Sequence, residues 1–113
     1  MKAGLVTFYH IHHYGALLQA AATERAVERF GWDCEIIDYF VSERYRRFEK
    51  FSRDHLRISD RRYGRFDELA GGPLPYDLIL SGSDQIWNPK IFPDGRFDPV
   101  FFGTFSQKRR IAY

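Results

Sequence analysis

Two short segments of this chain hold the residue types that chemistry needs. The first is His10-Ile11-His12-His13-Tyr14-Gly15, with Gln19 one helical turn further on. Gly15 lets backbone approach a ligand closely, and a helix beginning there offers unpaired N–H groups to an anion. The second is Ser81-Gly82-Ser83-Asp84-Gln85-Ile86-Trp87-Asn88-Pro89. Its three small residues permit a close backbone turn at a binding edge. Asp84, Gln85 and Asn88 then supply a carboxylate and two amides, and Trp87 supplies a flat apolar face. Together these suit a sugar, whose hydroxyls are hydrogen-bonded while its C–H face stacks on the ring. A plainer reading stands beside each: Gly15 permits a turn, Gln19 bonds nearby backbone, Asp84 caps a turn, and Trp87 belongs to the core. For Trp87 the core reading is the stronger.

Other chemistries are poorly served. Three histidines in four residues invite a metal, but His12 and His13 are adjacent and no third ligand type follows at a recognisable spacing, so no metal site is expected. There is no Walker A pattern, no GxGxxG after the first apolar run and no GxSxG elbow.

The elements that must position these segments follow from periodicity and breakers. Ala3–Phe8 is a short apolar, β-leaning run, expected as a buried first strand. Gly15–Phe30 reads as a helix whose charges Glu24, Arg25, Glu28 and Arg29 share one face, leaving Ala16, Ala20, Val27 and Phe30 opposite and Gln19 towards the core. Gly31 stands where a left-handed cap belongs. Cys34–Tyr39 is the second strand, and β-loop-α-β within 39 residues predicts a parallel sheet. The basic stretch from Glu43 to Phe66 is expected to be helical, in one or two pieces, and Gly71-Gly72-Pro73-Leu74-Pro75 ends it. Tyr76–Leu80 is a third buried strand that runs into the second segment. Ile86–Phe105 reads as a structured loop, and Lys108–Tyr113 as the start of a further strand, which makes the domain look unfinished. In open parallel sheets ligands collect beyond the carboxyl ends of the strands, and both segments leave such ends.

Composition sets outer bounds. The 113 residues suffice for one small domain, and 44% hydrophobic with 18% aromatic residues can build a core. Net charge is +2, yet Glu43 to Phe66 carries nine Arg or Lys against four acids, so the remainder is net negative. Cys34 is the single cysteine, which excludes an intrachain disulfide and a CxxC zinc pair and fits a reducing cytoplasm. Without a charged-then-apolar leader or the ~20 apolar residues of a membrane span, a soluble intracellular protein is expected.

The two segments also share their wording and order with a known family. Thr7-Phe8, Tyr14-Gly15-Ala16-Leu17-Leu18-Gln19-Ala20, Ile37-Asp38-Tyr39, the block from Tyr76-Asp77 through Gly82-Ser83-Asp84-Gln85-Ile86-Trp87-Asn88-Pro89, and Arg110-Ile111-Ala112-Tyr113 resemble the amino-terminal part of the polysaccharide pyruvyl transferase family. The resemblance runs from Lys2 to Tyr113 except for the basic middle, residues 43–66, which reads as a helical insertion. One departure is His13, where the family commonly carries Asn. The resemblance implies an α/β fold with a Rossmann-like parallel sheet: residues 1–113 would be the N-terminal domain, incomplete, of a GT-B-like two-domain enzyme. It implies transfer of a pyruvyl group from phosphoenolpyruvate to a sugar of a cell-surface polysaccharide, as a ketal, without any cofactor besides that donor substrate. Donor clamps would lie in the absent second domain, which leaves the fragment inactive alone. His13, Tyr14, Gly15, Gln19, Gly82, Ser83, Gln85, Trp87 and Asn88 would then face the acceptor, a polysaccharide or lipid-linked sugar, with Asp84 as general base for its hydroxyl.

Two other function classes compete. A divergent or non-catalytic family member would keep the fold without the transfer. A nucleic-acid-binding domain would use Arg44, Tyr45, Arg46, Arg47, Phe48 and Phe51, although a solvated basic helix face explains the same residues more simply. The basic stretch also suits peripheral contact at the inner face of the membrane, near a lipid-linked acceptor. On that view, Arg46→Glu with Arg47→Glu weakens binding to anionic vesicles in a flotation assay; unchanged binding removes the membrane contact.

Overall fold

The computed structural model describes residues 1–7, 14–39, 54, 56–82, 98–106 and 108–112. Five strands form one sheet: β1 (Lys2–Val6), β2 (Asp33–Tyr39), β3 (Ile58–Tyr63), β4 (Leu78–Ser81) and β5 (Arg109–Ala112). Their spatial order is β3-β2-β1-β4-β5, and every adjacent pair is parallel. Helix α1 (Tyr14–Arg29) links β1 to β2, and the short α2 (Phe66–Ala70) precedes β4. This is an α/β architecture with a Rossmann-like parallel sheet, as expected.

Parallel strands are covered on both faces, and the residues alternate accordingly. Ala3, Leu5, Cys34, Ile36, Leu78 and Leu80 pack on one face with Ala20 of α1 and Leu56, and Ala21 and Val27 lie against them. Val6, Ile37, Tyr63, Tyr76 and Ile79 pack on the other with Leu69, Val100 and Phe105. Burying a Leu or Ile side chain of this kind contributes about 1.5–3 kcal/mol. Gly4 is set by packing on that second face. A Cβ there would lie 2.9 Å from both Ile37 Cδ1 and the Tyr76 ring, so the tyrosine occupies the space a side chain would take. Tyr76 is anchored in turn by its hydroxyl, which donates to Glu35 Oε1 at 2.6 Å.

Helix α1 is rich in Ala, Leu, Gln, Glu and Arg, all strong helix formers. It ends as predicted at Gly31, whose φ is 85°, with the Gly31 N–H donating to Glu28 O at 3.0 Å. Ala20 and Val27 face inward, while the Ala16 side chain lies outside the described residues. Two expectations about this helix fail. Phe30 follows the last helical residue and is 84% exposed, because the cap turns it away from the sheet. Glu24 is buried rather than part of the charged face: its carboxylate accepts the Arg57 backbone N–H at 3.0 and 3.2 Å.

A third correction concerns the basic stretch. Residues expected to be helical include β3, a parallel partner of β2 at one edge of the sheet. In β3 apolar and polar residues sit too irregularly to show a period. Ile58, Ser59 and Tyr63 turn inward while Asp60, Arg61 and Arg62 face out. Residues 40–53 lie outside the description. The charge of the described part is largely matched. Arg57 pairs with Asp33 at 2.6 Å and Glu28 at 3.3 Å, Arg62 with Asp38 at 3.1 Å, and Arg65 with Glu68 at 3.7 Å.

Glu24 gives the fold a pH dependence. Burial, with Glu28 nearby, raises its carboxyl from about 4.5 to about 7, against the opposing pull of the Arg57 N–H and of the Arg57 and Arg25 charges. The folded state therefore holds this proton more tightly than the unfolded chain. The sign follows: stability from this group is full below about pH 4.5 and falls as pH rises towards 7. Glu24→Gln keeps an acceptor for Arg57 and removes the titration. Its stability relative to wild type should rise by about 3 kcal/mol between pH 4.5 and 8 in denaturant unfolding. A difference that does not vary with pH would contradict the account.

Candidate functional site

The order β3-β2-β1-β4-β5 reverses direction between β1 and β4, and in such sheets the crevice outside those carboxyl ends takes the ligand. Val6 and Ser81 are register partners, and the Gly82 N–H donates to Val6 O at 3.3 Å. The two chemical segments thus leave neighbouring strands at one edge of the sheet. Ser81 and Gly82 are both buried, so backbone of the second segment starts inside the structure.

The first segment is tied to the same edge. Thr7, buried just past β1, directs its hydroxyl to Gln19 Oε1 at 3.5 Å. The Gln19 amide nitrogen reaches Thr23 Oγ1 at 3.4 Å, and the Thr23 hydroxyl donates to Gln19 O at 2.9 Å. Gln19 therefore faces inward, where the helical pattern put it, and braces α1 against the end of β1. Tyr14 and Gly15 form the first residues of α1, with Gly15 exposed. His13, Ser83, Asp84, Gln85, Trp87 and Asn88 lie outside the described residues, as does the side chain of Tyr14.

Tyr39 and Asp98 extend this edge on its β2 side. The Tyr39 hydroxyl donates to Asp98 Oδ2 at 2.6 Å, joining positions 59 apart in the chain. Burial first, and the Asp98 carboxylate second, push the Tyr39 phenol well above its ordinary range, so it stays a proton donor. Asp98 has a second task. Its Oδ1 accepts the Val100 N–H at 3.0 Å, capping a 3-10 turn over Pro99–Phe102. Pro99 presets the first turn residue, and Gly103 closes it in the left-handed region at φ 69°. The pattern over Ile86–Phe105 reads as loop, although Asp-Pro followed by Gly103 is a legible capping signal.

Between the turn and β5 lies an open cavity of about 290 Å³, lined among the described residues by Ser81, Phe102, Arg110, Ile111 and Ala112. Phe102 and Arg110 carry no site signal in the sequence, because only the fold sets them beside Ser81. Elsewhere reactivity is suppressed: burial, reinforced by Glu24 and Glu28, pushes the Cys34 thiol up to about 12, so no thiolate is available. Among the described residues no cluster of three or more His, Cys, Asp or Glu could hold a metal ion. No helix among them is long and apolar enough to cross a membrane.

Comparison of the chain with protein-family models, with curated proteins and with solved structures returns no match.

The Tyr39–Asp98 bond can be tested directly. Tyr39→Phe removes one donor to a part-buried carboxylate and should cost about 1–3 kcal/mol in chemical unfolding. An unchanged midpoint would show that the turn is held by something else.

Proposed function

We propose that this edge is one wall of the acceptor cleft of a polysaccharide pyruvyltransferase, in which the chain serves as the N-terminal domain of a GT-B-like two-domain enzyme. One observation carries the reading. The stretches that resemble that family are scattered over the whole sequence, yet Thr7, Gln19, Tyr39, Ser81, Gly82 and Ala112 gather at the carboxyl ends of β1, β2, β4 and β5. Such gathering is what a shared ligand edge requires.

On this reading the reaction joins phosphoenolpyruvate to two hydroxyls of one sugar. A proton adds to the enol methylene carbon, which becomes the methyl group, and the adjacent carbon turns electrophilic. Two sugar oxygens bond to that carbon in succession, each losing a proton, and the phosphate departs with its C–O electrons. The ketal keeps the carboxylate. Asp84 is the group proposed to take a hydroxyl proton, with the amides of Gln85 and Asn88 orienting the acceptor and Gln19 holding α1 at the edge of the cleft. Phosphate and carboxylate of the donor need Arg, Lys or His, which the reading assigns to the second domain. The acceptor is a polysaccharide or lipid-linked sugar, met in the cytoplasm at the inner face of the membrane.

Deleting the gene that encodes this chain should remove ketal-linked pyruvate from the surface polysaccharide, measured as its methyl resonance after mild acid release. Restoring the gene with Asp84→Asn should leave the pyruvate at least tenfold below the wild-type level. An unaltered pyruvate content in the deletion would contradict the proposal.

A further inference from the structure

The cavity beside β5 has a composition that the transfer chemistry leaves unused. Ser81 brings a hydroxyl from a residue only 4% exposed, and Phe102, at 43% exposure, brings an aromatic wall. Ala112 adds apolar surface, and Arg110 adds the single charge among the described lining residues. Lys108, Arg109 and Arg110 are exposed and form no salt bridge with another described residue, so they add positive charge to this corner of the sheet. The Arg110 stem is positioned by Gly103. A Cβ on that glycine would lie 3.4 Å from Arg110 Cδ and 3.2 Å from Ile79 Cγ2, so the bare backbone of the turn lets the arginine lie across it.

We propose that this cavity binds a carboxylate-bearing sugar, a hexuronate residue of the acceptor; the proposal rests on the reading of this edge as an acceptor wall. Arg110 offers the planar fork that matches a carboxylate in two parallel hydrogen bonds. Phe102 takes the C–H face of the sugar ring, and the Ser81 hydroxyl bonds a ring hydroxyl. Size supports one sugar unit. At about 290 Å³ the cavity stands at the small end of ligand pockets, which begin near 300 Å³ and must be larger for a nucleotide. The aromatic wall argues against a bare phosphate, which would meet one cation and a hydrophobic ring.

The test titrates the 113-residue chain, wild type and Arg110→Gln, with galacturonate, galactose and inorganic phosphate by ligand-observed NMR. Arg110 is exposed, so its replacement leaves the core intact, and a proton spectrum confirms the fold. Galacturonate should bind wild type at least tenfold more tightly than galactose, phosphate should not displace it, and Arg110→Gln should lose the preference. Absence of galacturonate binding, equal binding by Arg110→Gln, or displacement by equimolar phosphate would each overturn the proposal. Its failure is separable from that of the transfer reading. Pyruvate loss on gene deletion without uronate preference sinks this site alone, and uronate preference with unchanged surface pyruvate sinks the transfer reading while keeping the site.

Discussion

The arrangement depends on the parallel ladder that β1 forms on both sides. Lys2 to Leu5 are in register with Asp33 to Ile36 of β2, and Ala3 to Val6 with Leu78 to Ser81 of β4. Because every pair is parallel, all five strands end at one edge, where Thr7 follows β1 and Gly82 follows β4. That ladder needs a strand buried on both faces. Ala3, Leu5 and Val6 meet this need with apolar side chains, and Gly4 meets it by leaving room for Tyr76. The amino end of β1 is also secured, since the Lys2 N–H donates to Asp77 Oδ2 at 2.9 Å and the Asp77 N–H to Lys2 O at 2.7 Å.

Polar groups do the joining wherever the hydrophobic faces stop. Glu24 clamps the residue before β3 to α1, Asp38 holds Arg62 on the outer strand, and Ser59 accepts the Asp38 N–H at 2.9 Å. Tyr39 and Asp98 perform the equivalent task at the carboxyl edge. Each carboxylate spans elements distant in sequence, and none of the buried side-chain polar atoms described lacks a partner. A buried acid such as Glu24 is costly when charged, yet it specifies the attachment of an edge strand whose own apolar content is small. Stability and placement are thus partly traded at this junction.

Some of this was legible in the residues alone. The apolar runs of β1 and β4, the helix with its Gly31 cap, and the parallel relation of β1 and β2 all follow from local pattern and spacing. The strand at Arg109–Ala112 was visible as a β-leaning start. What escaped depends on contacts across the chain. Ile58–Tyr63 has four polar residues in its middle and becomes a strand only because β2 offers an edge beside it. Glu24 falls among charges on the helical wheel, and only the arrival of Arg57 explains its burial. For the site, Gln19, Ser81 and Gly82 stand where sequence logic put them, at one edge. Tyr39 and Asp98 carry no site signal alone because they lie 59 positions apart, and Phe102 and Arg110 gain one only when the turn is folded against β5.

The proposed function stands or falls on ligand binding at the carboxyl edge of the sheet, around the β1–β4 reversal. Amide chemical-shift mapping during titration with an acceptor sugar tests that most directly. Shifts should concentrate at Thr7, Gly15, Gln19, Ser81, Gly82 and Ala112, with Lys2, Asp33 and Asp77 at the opposite edge unmoved. Shifts centred on Lys2, Asp33 and Asp77, with the carboxyl edge silent, would contradict it.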